Sequence, residues 1–134
     1  MRYYTPKTEL DTRIARLQSG MCEQDVEGAL ITQNADMYYF SGTVQQAHLF
    51  IPAQGKPILF VTKSTERARS ESFLECIVDL AHPKDLRSIL HDYGYGSLKT
   101  IGLEGDVLPF NVYRRYEKLF SPAKTAVGLS NVSF

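Results

Sequence analysis

His48-Leu49-Phe50-Ile51 and Ile58-Leu59-Phe60-Val61 are two short apolar runs separated by Pro52-Ala53-Gln54-Gly55-Lys56-Pro57. Runs of this length, bounded by proline and glycine, read as strands, joined as a β-hairpin by a longer loop that contains glycine. The sheet must therefore contain an antiparallel pair. On the N-terminal side, Gly28-Ala29-Leu30-Ile31-Thr32 is a further apolar run with the character of a buried strand. Asn34 to Phe40 then has room for one or two helical turns before Ser41-Gly42. Further out, Leu10, Ile14, Leu17 and Met21 recur at helical spacing, with Glu9 four residues before Arg13 and Thr8 and Asp11 placed as a weak capping box. This predicts an amphipathic helix ending near Gly20.

Beyond the hairpin, the polar run from Ser64 to Phe73 favours a mostly exposed helix, and 75–80 a strand. Pro83 opens a helix whose apolar stripe is Leu86, Ile89, Leu90 and Tyr93, stopped at Gly94. A strand at 100–103 follows. Asp106 and Pro109 open a last helix through Val112, Tyr113, Tyr116, Leu119 and Phe120, ahead of a strand-like stretch near 125–127. About six strands alternate with four or five helices, which defines a three-layer α/β domain with a mixed sheet. The weakly patterned end Asn131-Val132-Ser133-Phe134 has no helix to cover the last strand and reads as a cut.

At 134 residues the chain is long enough for one domain with a core of its own, and 43% hydrophobic with 22% charged residues is a soluble globular composition. Fifteen basic and fifteen acidic side chains cancel, so nucleic acid and anionic membranes are poor partners. No apolar run approaches the roughly 20 residues that span a bilayer, and the start Met1-Arg2-Tyr3-Tyr4-Thr5-Pro6 lacks a signal segment; the expected location is cytoplasmic. Cys22 and Cys76 stand far apart, outside any CxxC spacing.

Chemistry-bearing patterns are sparse. His48, His82 and His91 show no HxxxH or HExxH spacing and fit structural roles in a strand, a loop and a helix end. Glu104 and Asp106 flank Gly105 after a strand, where α/β sheets bind ligands, but a turn and helix N-cap account for them equally. Gly94-Tyr95-Gly96 follows a helix and lacks the lysine of a P-loop, so it reads as a helix stop. No catalytic residue and no metal ligand is assigned. Tyr38, Tyr39 and Phe40 are adjacent aromatics that cannot all face one way on a helical turn, so at least one reaches the surface or a partner.

The order of segments resembles the N-terminal domain of creatinases, prolidases and Xaa-Pro aminopeptidases. Its most specific part is Ala29-Leu30-Ile31 followed by Asn34-Ala35-Asp36-Met37-Tyr38-Tyr39-Phe40-Ser41-Gly42-Thr43. The opening helix from Glu9 to Leu17, the hairpin ending in Leu59-Phe60-Val61-Thr62, and Ile101-Gly102-Leu103-Glu104-Gly105-Asp106 with Leu108-Pro109 are similar as well. Phe40 departs from the leucine common at that position. The resemblance implies a mixed, about six-stranded sheet with a ribonuclease H-like motif, and 1–134 as a domain that precedes a pita-bread metallopeptidase domain absent from this chain. It also implies that a two-metal site of Asp, Asp, His, Glu and Glu, holding Mn, Co or Zn, lies in that other domain, leaving this one inactive and without a cofactor. Homodimers are expected, with peptide substrate met only through the other domain. Tyr38, Tyr39, Phe40, Ser41, Gly42 and Thr43 form the implied partner or substrate-access loop. The parent substrate is left open between Xaa-Pro peptides and creatine-like molecules. The alternative is a stand-alone ligand-binding or regulatory module with its pocket near Thr32, Thr62 and Glu104.

Overall fold

In a computed structural model, the structure describes residues 6–32, 34–42, 47–62, 66, 68, 69, 72, 74–96, 98–103, 117–120 and 124–127. Helix α1 (Lys7–Glu23) leads into β1 (Gly28–Ile31), α2 (Asn34–Ser41) and the hairpin β2 (Ala47–Pro52) and β3 (Ile58–Val61). Strand β4 (Cys76–Asp79), a 3-10 turn (Pro83–Asp85), α3 (Leu86–Asp92), β5 (Thr100–Leu103) and β6 (Lys124–Val127) complete the order. Residues 117–119 are helical, as are 66, 68 and 69. No helix of the described residues is long and apolar enough to cross a membrane.

The strands form one mixed sheet in the order β4-β3-β2-β1-β5-β6. β2 is antiparallel to both β1 and β3, whereas β4 pairs parallel to β3, β5 to β1 and β6 to β5. Among the described strands β2 alone therefore runs against the common direction. The expected α/β architecture with an antiparallel section is the one observed.

Both faces of the sheet are covered, which explains why its strands read as unbroken apolar runs. Ala29, Ile31, Leu49, Ile51, Leu59, Val61 and Ile77 pack with Leu17 and Met21 of α1 and Met37 and Phe40 of α2. Alternate residues Leu30, Phe50, Ile58, Phe60, Ile101 and Leu103 pack on the other face with Leu86, Leu90 and Phe120. The period-two division holds across the central strands. A Cβ built on Gly28 would meet the Phe50 ring at 2.7 Å, so glycine there gives the ring its place.

Three helix ends differ from the sequence expectation. α1 passes through Gly20 to Glu23 because Gly20 and Met21 are both buried against the core and the left-handed residue that follows the helix is Asp25, with φ 56°. Its N-cap is Pro6, with no side-chain cap, and Asp11 pairs with Lys7 instead of completing a box with Thr8. At Pro83 the helix begins as a 3-10 turn, with His82 Nδ1 accepting from the Lys84 N–H at 3.2 Å.

Candidate functional site

β1 is the strand from which the sheet order departs in both directions, with β2 on one side and β5 on the other. The carboxyl end of such a strand is where open α/β sheets place ligands and contacts. α2 begins three residues beyond β1, so the chain's most specific motif falls at that end. Thr32 and Thr62, which follow β1 and β3, lie there too, about 10 Å apart across the intervening β2. Glu104 and Thr43 are outside the described residues.

Within α2 the aromatics divide. Phe40 is 1% exposed and points into the core with Met37, Tyr39 is half-buried, and Tyr38 is 40% exposed. Helical geometry forces this division, because consecutive residues are rotated by about 100° and only one face can meet the sheet. The Tyr39 and Phe40 rings stand edge to face, 4.9 Å apart at 88°.

A set of contacts, some from other elements and some from α2 itself, fixes the end of α2. The Arg13 guanidinium of α1 donates to the Tyr39 carbonyl at 2.8 Å and lies 4.3 Å from the centre of the Tyr39 ring. A cation at a helix C-terminus satisfies an orphan carbonyl and meets the negative end of the dipole. Arg13 is itself oriented by Glu9, at 3.1 Å. Ser41, fully buried, donates back to the Met37 carbonyl at 2.5 Å. Ser72 donates to the Ser41 carbonyl and its oxygen accepts from the Leu74 N–H at 3.2 Å. Gly42, at φ 80°, makes the left-handed exit, its N–H donating to the Tyr38 carbonyl at 2.8 Å. Tyr38 is thus an exposed phenol on a rigid mount.

A separate open cleft of about 140 Å³ is lined by Lys7, Asp11, Lys56, Pro57, Leu74 and Glu75. Lys56 and Glu75 approach to 2.5 Å, and Lys7 reaches Glu75 at 3.8 Å and Asp11 at 3.4 Å. The hydrogen bond to Glu75 raises the Lys56 pKa above its ordinary value, and the same bond lowers that of Glu75. No sequence pattern marked this cleft, because its residues come from three separated segments.

The histidines stay apart. His48 lies in β2, where burial lowers its pKa, His82 caps the 3-10 turn and His91 is exposed near the end of α3. Among the described residues no group of three or more His, Cys, Asp or Glu side chains could hold a metal ion.

The Creatinase/Prolidase N-terminal domain family matches residues 13–133. The chain belongs to that family. Solved structures give the same fold at low identity. A prolidase from Pyrococcus furiosus superposes with a TM-score of 0.74 at 22% identity, over 90% of this domain and 36% of that chain. An Xaa-Pro aminopeptidase from Streptococcus pyogenes gives 0.78 at 20% identity, over 95% and 97% of the two chains. The creatinase/prolidase N-terminal domain of an X-Pro dipeptidase from Streptococcus pyogenes gives 0.71 at 18%, over 87% and 92%. The family domain therefore spans about a third of the length of the prolidase. No curated protein sequence matches it.

Proposed function

We propose that this domain is the non-catalytic N-terminal part of an Xaa-Pro peptidase-type metal hydrolase, contributing to dimer contacts and shaping access of peptide substrate to a metal site held elsewhere. The observation that carries this reading is the family match over 13–133 combined with the share of the prolidase chain that it covers. The remaining two-thirds of such a chain has room for a catalytic domain. The substrate-access role falls to the Tyr38–Gly42 segment, where an exposed aromatic is held by Arg13, Ser41 and Ser72 at low conformational-entropy cost. The two free cysteines, Cys22 exposed and Cys76 half-buried, suit a reducing cytoplasm.

Hydrolysis of Xaa-Pro dipeptides by the purified chain, with Mn, Co or Zn ions added, tests the non-catalytic assignment. No proline release is expected. Release proportional to protein concentration would overturn it. Light scattering on the same sample tests the contact role: a dimer that Tyr38→Ala weakens is the expected result, and a monomer at all concentrations removes that part of the proposal.

A further inference from the structure

We infer that Arg69 closes the outer edge of β4 against strand addition by a second copy of this chain. Among the described strands β4 is the last on its side of the sheet, with β3 beside it. An edge of this kind presents unpaired N–H and C=O groups, which are a template for another chain unless something covers them.

The backbone direction of each β4 residue follows from the ladder. β3 and β4 are parallel, with Phe60 opposite Val78 and Val61 opposite Asp79. Just past the strand, the Leu80 N–H donates to the Val61 carbonyl at 2.9 Å. Successive residues of a strand turn their backbone groups to opposite sides, so Val78 and Cys76 share Leu80's direction toward β3 and Ile77 and Asp79 turn theirs outward. The Arg69 guanidinium donates to the Ile77 carbonyl at 3.3 Å. It therefore occupies the outward acceptor at the middle of the edge.

Two features make Arg69 suited to this task. Its neighbour Ala68 is fully buried in the same core cluster as the Ile77 side chain, so the arginine projects from a segment fixed beside the edge. Its guanidinium has donors and no acceptor, so it satisfies a carbonyl without offering an incoming strand anything to pair with. A β4-to-β4 pairing of two copies would also bring two arginines to one seam, where like charges repel.

The test compares the wild type with Arg69→Ala and Arg69→Met, the latter keeping most of the stem without the donors. Sedimentation or light scattering is followed over about a hundredfold range of concentration. Both variants are expected to gain a concentration-dependent mass rising toward about twice the wild-type value at equal concentration. Adding Asp79→Pro, at an outward-facing position where proline breaks no β3–β4 bond, is expected to return the mass to that of the wild type. Folded variants with wild-type mass throughout would overturn the inference, as would added mass that Asp79→Pro leaves in place. Loss of folding in both Arg69 variants would also overturn it, by making Arg69 a support of the fold and not a cover for its edge.

Discussion

The end of α2 and the cleft beside Glu75 each join segments that are far apart in sequence through polar side chains, yet the two are built in opposite environments. At the end of α2, Ser41 and Ser72 are buried, and their hydrogen bonds to main-chain groups close over Met37 and Phe40. In the cleft, Lys7, Lys56 and Glu75 meet with more than half of each side chain in water. Buried polar groups cost free energy when a partner is lost, whereas exposed ion pairs exchange one solvated state for another. The first arrangement can hold a contact surface in place, and the second adds little to the stability of the segments it joins.

The largest expected effect is at Phe40. Its removal leaves a cavity between α2 and the sheet, so Phe40→Ala should cost about 3–5 kcal/mol in urea unfolding. Tyr38→Ala, two residues away and exposed, should leave the unfolding midpoint nearly unchanged. Equal losses in both variants would show that α2 is not divided into a core face and a presented face. Next comes Ser72→Ala, which strips partners from the Ser41 carbonyl and the Leu74 N–H and should cost about 1–3 kcal/mol. A neutral result would mean that solvent replaces the hydroxyl and that the mount of Tyr38 is looser than its hydrogen bonds imply.

Much of this division is legible in the sequence, and the reason is period. β1 and the hairpin are apolar throughout because both faces are covered, and Tyr38-Tyr39-Phe40 had to diverge because a helix turns. Other features left no trace in local pattern. Arg13 reads as half of a helix pair with Glu9, and only the packing of α1 on α2 brings it to the Tyr39 carbonyl. Ser72 sits in a polar stretch that reads as solvated, 31 positions from the carbonyl it meets. Gly20 reads as a helix stop because glycine is the usual left-handed exit residue, but burial of Gly20 and Met21 carries α1 onward. Local sequence reports which face is apolar, and it does not report which distant polar atom arrives there.

A pH titration carries the comparison to single ionisable groups. Burial holds the folded-state pKa of His48 below the value of about 6.5 expected in the unfolded chain. At pH 8 both states are neutral at this residue. Below about pH 6.5 the unfolded chain binds the proton first, so stability falls until the folded pKa is reached and then levels off. Thermal unfolding should show this loss, and His48→Gln should flatten it. A loss that persists unchanged in His48→Gln would assign it to other groups.

Glu75 should give the smallest effect and the opposite geometry. Its folded pKa is lowered, first by the hydrogen bond from Lys56, so its contribution is present above the unfolded carboxylate pKa of about 4.3 and disappears as pH falls through the folded value. Because the carboxylate and both lysines are exposed, water and salt screen what they gain from each other. Glu75→Gln at neutral pH should therefore move the unfolding midpoint by less than the measurement resolves, and molar salt should change the wild type and the variant alike. A clear loss in Glu75→Gln that salt removes would show that the three segments around the cleft depend on this charge cluster. The cleft would then rank with the end of α2 as a structural clasp, and the contrast between buried and exposed joints would no longer separate them.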